Sequence, residues 1–307
     1  MALRALVLGA AAGGGLPQWN CRAPNSRGFW EGRDGLAEAT QSSLAVTADG
    51  EVWALLNASP DLRTQILRTP ALHPRGPGLR GSPIRSVLLT NGDLDHILGL
   101  LTLREGHAFE LFATPEILAV LDANTIFDAL PRERVRRRPV RLDEPFELLP
   151  GLPVTLFAVP GKTPLFLERE GETPPTDLLG EQTVGVRLGE GEPGVFYVPG
   201  CAMVTPDLAE RLRGAAVVMF DGTVFHDDEM IREGVGPKTG RRMGHLAMAG
   251  EDGSMAAFEG LGIGRKIYVH INNTNPVWRP GSPERRAVEA AGWEVAQDGL
   301  EIVPHER

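Results

Sequence analysis

Apolar positions along the chain fall into short runs, and most of these runs have the length of a strand. Residues 3–8 predict a buried first strand, and 43–47 and 52–56 predict a hairpin joined by the turn Ala48-Asp49-Gly50. Further strands are expected at 84–89, 110–113, 154–159, 184–188, 195–198, 216–220 and 266–270. Helical spacing places helices from the Asp61 cap to 67, from the end of the 90–96 loop to about 103, after Pro115, and over 206–212, 254–261 and 283–291. Residues 17–42 read as a polar loop held down by Trp19, Phe29 and Trp30, and the Pro/Gly-rich stretch 74–83 as a connector to the strand at 84. The run Arg132-Glu133-Arg134-Val135-Arg136-Arg137-Arg138 reads as a solvated face, with reception of an anionic substrate as the alternative. Strand groups in both halves, separated by helices, favour an α/β architecture of two sheets packed face to face with helices outside. No fixed-period repeat or low-complexity linker breaks the pattern, so a single domain over 1–307 is expected.

Composition narrows the function. The 307 residues carry a net charge of −9, which opposes general attraction to phosphate backbones and points away from nucleic acid, toward a small-molecule or short-peptide partner. Two cysteines, Cys21 and Cys201, cannot make a disulfide framework. Nothing resembles a charged leader before a long apolar core, and no stretch is long enough to span a membrane, so a cytoplasmic protein is expected. The oligomeric state is not legible, and a homodimer remains open.

The chemistry concentrates where strands end. Thr90-Asn91-Gly92-Asp93-Leu94-Asp95-His96 follows the run 84–89, and its two carboxylates and one imidazole can hold a divalent metal. The competing reading makes Asp95 a helix cap, Asp93 a solvated acid and His96 a packed side chain. Four more strand ends share the design: Val159-Pro160-Gly161-Lys162-Thr163-Pro164, Tyr197-Val198-Pro199-Gly200-Cys201, Met219-Phe220-Asp221-Gly222-Thr223, and Ile267-Tyr268-Val269-His270 with Asn272-Asn273-Thr274-Asn275 beyond it. Such ends converging on one edge build a pocket from distant parts of a chain. The glycine run 13–15 leaves room for close backbone approach, but its spacing and the following Pro17-Gln18-Trp19 do not fit a dinucleotide fingerprint.

These strand ends resemble the metallo-β-lactamase superfamily, which implies an αββα sandwich of two mixed sheets flanked by helices, with metals in a groove at one edge. Its His-x-His-x-Asp-His loop appears here as Asn91-Gly92-Asp93-Leu94-Asp95-His96, and its Gly-His-Thr-Pro segment as Gly161-Lys162-Thr163-Pro164. Its Gly-Asp bridging segment looks like Gly200-Cys201, and its last histidine fits His270. By this resemblance Asn91, Asp93 and Lys162 stand where a first metal would be held, and Asp95, His96 and His270 where a second would be. The surviving set resembles the 2-His-1-carboxylate triad of non-haem Fe(II) oxygenases, and Asp93 is either a further ligand or an acid that orients an imidazole.

A closer resemblance, over most of the chain, is to the pyrroloquinoline quinone biosynthesis protein B family. It is carried by residues 14–21, by Phe220-Asp221-Gly222-Thr223-Val224-Phe225, by Asp227-Asp228-Glu229-Met230, by Gly240-Arg241-Arg242-Met243-Gly244-His245 and by residues 270–276. The resemblance implies an Fe(II)- and O2-dependent hydroxylase acting on the tyrosine-derived ring of a cross-linked Glu-Tyr precursor. A competing reading of the family is a carrier for the finished quinone, and a third is an ordinary metal-dependent hydrolase, which the altered first site disfavours. Many members carry Cys-x-Cys-x-x-Cys as a structural zinc site, where this chain has Cys21, Ala23 and Ser26, so that zinc is not expected.

Three further assignments complete the expectation. His245, placed at a helix start, and Asp221 are candidates to move protons, their alternatives being a packed or capping histidine and a turn-capping acid. Lys162, Arg241 and Arg242 are candidates to receive substrate carboxylates. The isolated His73, His107, His226 and His305 are read as surface or packing residues.

Overall fold

A computed structural model describes residues 3–33, 35–167 and 175–304, without the Leu165 side chain. The first sheet contains β1 (Arg4–Gly9), β2 (Ser43–Thr47), β3 (Trp53–Leu56), β4 (Ile84–Leu88), β5 (Phe109–Ala113) and β6 (Val135–Pro139). The second contains β7 (Pro145–Leu149), β8 (Leu152–Ala158), β9 (Val184–Leu188), β10 (Val195–Val198), β11 (Val217–Asp221), β12 (Arg265–Val269) and β13 (Trp293–Val295). The last strand, β14 (Glu301–Ile302), returns to the first sheet beside β1. The orders are β14-β1-β2-β3-β4-β5-β6 and β13-β12-β11-β10-β9-β8-β7.

Both sheets are mixed. In the first, β14, β1, β2 and β3 pair antiparallel, while β3, β4, β5 and β6 pair parallel. In the second, β7 to β10 pair antiparallel and β10 to β13 parallel. Burial follows from this layering. Strands β2, β3, β10 and β11 are buried at every position, as strands covered on both faces must be, whereas β5 alternates. The Tyr197 hydroxyl and Ser42 Oγ meet at 3.3 Å between the sheets, and Ser86 Oγ donates to the Leu148 carbonyl at 2.7 Å. At one flank Tyr268 stacks on Trp293 with ring centres 4.0 Å apart.

The expected α/β sandwich is therefore the observed one, with local corrections. Residues 17–42 contain a helix, Pro24–Trp30, that starts on a proline without a side-chain cap. Trp19 is 84% exposed and does not anchor the segment, whereas Trp30, though largely in solvent, donates from Nε1 to the Cys21 carbonyl at 3.3 Å. The segment is tied to the rest of the fold by buried Asn25, whose amide donates to the carbonyls of Asn273 and Asn275 at 2.8 Å each. Asp61 does not cap its helix: its Oδ2 accepts from the Gln41 main-chain and side-chain nitrogens instead. The arginine run forms β6, an edge strand, where Arg137 is buried against Asp122 and Arg138 pairs with Glu110. The helix expected over 254–261 is only Ser254–Ala257. His73 and His107 lie against the carbonyls of Leu67 and Ile84, as packing residues do, and His305 falls outside the described residues.

Candidate metal centre

The loop after β4 turns at once into the short helix Leu94–Ile97, which continues as a 3₁₀ stretch, Leu98–Arg104. Gly99 makes this possible, because a Cβ there would lie 2.1 Å from the Ser59 carbonyl oxygen and block the helix from docking on that backbone. Asp93 occupies the cap position, without a side-chain cap bond, and Asp95 and His96 follow within the first turn.

His96 is buried, and its tautomer follows from its partners. Asn91 Oδ1 accepts from the Asp93 N–H at 3.1 Å, which fixes that atom as the amide oxygen. His96 Nδ1, 2.6 Å from the same oxygen, must then donate to it. The lone pair is left on Nε2, which is buried and has no hydrogen-bond partner. Burial pushes this imidazole down to about 4, Asp95 opposing the shift in part, so the ring is neutral at neutral pH.

His270 follows the end of β12, and its ring meets that of His96 edge to face, 5.2 Å between centres. Its φ of 55° puts a residue with a side chain in the left-handed region. Hydrogen bonds on each side hold it there: Ile271 N donates to the Ala10 carbonyl, and Thr223 Oγ1 lies 3.0 Å from the His270 carbonyl. His270 Nε2 is 3.1 Å from Asp95 Oδ2. Burial would lower the His270 imidazole, but its bond and charge contact with Asp95 win and hold it above the ordinary value. Burial would raise the Asp95 carboxyl, but the two imidazoles outweigh this and carry it below the usual carboxylate range. One oxygen from Asp95 and one nitrogen each from His96 and His270 lie within 4.8 Å of one another. A partly buried carboxylate, two buried imidazoles and an orphaned nitrogen lone pair form a donor set that fits a single divalent transition metal.

A second group, Asp221, His245 and His270, also lies close together, but its centre is filled. Thr223 Oγ1 is 2.7 Å from Asp221 Oδ1, 2.8 Å from His270 Nδ1 and 3.1 Å from His245 Nδ1. Asp221, fully buried at the end of β11, also accepts from the Cys201 N–H at 2.9 Å and faces His245 Nδ1 at 2.7 Å. Burial would raise its carboxyl, but the contact with His245, then His270 and Thr223, brings it below the ordinary value. This arrangement suits orienting imidazoles and passing protons. His245 does not start a helix: it lies beyond a single 3₁₀ turn, Arg241–Met243, with its ring stacked 5.1 Å from that of His270.

The other expected residues are placed apart from these donors. Asp93 Oδ1 lies 3.7 Å from the ammonium of buried Lys162, which also donates to the Thr163 carbonyl. Arg241 pairs with Asp252 and, with Arg242, lines a cavity of about 850 Å³ that also includes Ala202, Met203 and Leu246. Two roles escaped the sequence reading. Asn91 sets the His96 tautomer, and the Thr223 hydroxyl joins three ionisable groups. A polar residue two or three places past a strand end was the available signal for each.

Cys21 is partly exposed, its sulfur accepting from the Ala23 N–H at 3.3 Å, while Ser26 Oγ accepts from the Gln18 N–H.

Comparison with known proteins agrees with the fold. Residues 52–271 match the model of the beta-lactamase superfamily domain. The coenzyme PQQ synthesis protein B of Ruegeria pomeroyi is 58% identical over 301 residues, covering 98% of this chain and 100% of that protein. The protein of the same name from Methylobacterium sp. (strain 4-46) is 59% identical over 300 residues, with 98% and 99% covered. The crystal structure of Zn2+-bound PqqB from Methylobacterium extorquens superposes with a TM-score of 0.94 at 54% identity, covering 97% of this chain and 99% of that one.

Proposed function

The chain belongs to the coenzyme PQQ synthesis protein B family, and from that premise we propose that it is an Fe(II)- and O2-dependent hydroxylase acting on the tyrosine-derived ring of a cross-linked Glu-Tyr precursor. The observation that carries the reading is the partnerless Nε2 of His96, buried beside Asp95 and His270 in a one-carboxylate, two-imidazole set. Asp95, His96 and His270 would hold the metal, which when bound would supply the redox chemistry of ring oxygenation.

The surrounding residues do the rest. Asn91 fixes the His96 tautomer, and Thr223 holds His270 through Nδ1 so that Nε2 faces the metal position. The His245–Asp221 pair holds and moves protons at His245 Nδ1. Arg241 and Arg242, in the large cavity beside Leu246, receive the substrate carboxylates, with Lys162 supporting Asp93.

The test is to incubate anaerobically iron-loaded protein with a cross-linked Glu-Tyr compound and an added two-electron reductant under labelled oxygen, because inserting one oxygen atom into the ring leaves the other to be reduced to water. The product is expected to carry the label, and His96→Ala and His270→Ala to abolish it. Absent label, or label undiminished in both variants, would overturn the hydroxylase reading and favour a carrier.

A further inference from the structure

We propose that the cavity walled by Gly13, Pro60, Leu94, Leu98 and Phe166, with Asp95 among its lining residues, seats the substrate's phenolic ring and selects for it. The inference rests on the hydroxylase reading and deepens it, by assigning the part of the substrate that lies beside the metal position.

Its volume, about 450 Å³, is that of a small-ligand site, and its wall is mostly apolar. Leu94 is 45% exposed and Phe166 39%, two large apolar side chains left in water next to a buried polar centre. A flat ring between them would remove both from solvent. Gly13 faces Asp95: a Cβ there would lie 3.4 Å from Asp95 Oδ2, so the glycine leaves the approach to that carboxylate unobstructed. The glycine run thereby gains a role that a nucleotide-binding reading could not give it.

The wall decides which end of the substrate enters. Among the described residues the lining is mostly apolar and includes the carboxylates of Asp93 and Asp95 and no lysine or arginine. Gln41 is already committed, its amide nitrogen to Asp61 and its oxygen to the Gly14 N–H. A charged amino-acid end would lose its hydration against the apolar wall without gaining a partner there, whereas a ring would bury its faces and present only its hydroxyl edge to Asp95 and the metal position. The carboxylates of the substrate then point away from this cavity, toward the arginines.

The probe is 4-nitrocatechol, titrated by its visible absorbance into zinc-loaded protein, which is redox-silent. Phe166→Ala should weaken binding about tenfold at unchanged zinc content, and Phe166→Leu should recover most of the loss. Binding by Phe166→Ala within about twofold of the parent, at equal zinc content, would overturn the assignment. The labelled-oxygen experiment separates the two readings. Oxygenation with nitrocatechol binding indifferent to Phe166 sinks the ring site alone, whereas ring binding that depends on Phe166 without oxygenation upholds the site and sinks the hydroxylase.

Discussion

The groove at the strand ends has two halves built on the same scaffold and put to opposite uses. One half presents Asp95, His96 and His270, with a nitrogen lone pair facing no partner. The other presents Asn91, Asp93 and Lys162, where the superfamily pattern would hold another metal, and here Asn91 Oδ1, Asp93 Oδ1 and Lys162 Nζ all have partners within the protein. Asn91 accepts from His96, and the Lys162 ammonium stands beside Asp93 and repels a cation. The residues at these positions thus support the neighbouring donor set, by fixing a tautomer and an orientation.

The most direct way to break this comparison is to change one residue in each half. His96→Ala should lower bound metal from about one per chain to near zero, whereas Lys162→Gln should retain it in full, as elemental analysis after anaerobic reconstitution will measure. Metal lost equally from both variants would show that the halves are not functionally distinct. A smaller effect is expected at their seam. Asn91→Ala removes the acceptor for His96 Nδ1, and metal affinity should fall about 10- to 100-fold in a competition titration against a chelator. An unchanged affinity would mean that Asn91 does not orient the ring.

The smallest effect lies in the loops behind the donors. Buried Glu229 accepts from the Phe225 and His226 N–H groups and from Thr274 Oγ1, tying the loop after β11 to the loop after β12. Burial pushes its carboxyl up to about 7. The folded state therefore holds this proton more tightly than the unfolded chain, a contribution present in full below the unfolded value and lost as pH rises through about 7. Between about pH 5 and about pH 8 the parent should lose on the order of 2 kcal/mol relative to Glu229→Gln, read from urea unfolding at equal metal saturation. A stability difference that does not change with pH would show that Glu229 is ionised throughout.

What the sequence disclosed follows from how local each signal is. The strand 84–89 and the acidic loop after it were legible because an apolar run and a polar break are neighbours in the chain. Strand β6 was hidden because its arginines read as solvated, as Arg136 and Arg138 largely are, while what makes it a strand is its backbone pairing with β5, distant in sequence. The helix Pro24–Trp30 was hidden because it has no capping side chain and is held by Asn25 reaching a loop some 250 residues away. The triad residues could be named through family resemblance, but the parts of Asn91 and Thr223 could not, because each depends on which atom faces which nitrogen. His245 was misplaced for a similar reason, a lone 3₁₀ turn having been read as a helix start.

The candidate ligands come from different sheets, Asp95 and His96 from the loop after β4 in the first and His270 from the end of β12 in the second. An ion held by all three would act as a clasp, fastening one sheet to the other and drawing part of the molecule's resistance to unfolding from metal supply. The order of synthesis matters as well. A growing chain displays Asp95 and His96 long before residue 270 exists, so the complete set of donors arises only once most of the second sheet has been made, and capture of the ion becomes one of the last events in maturation rather than a seed for folding.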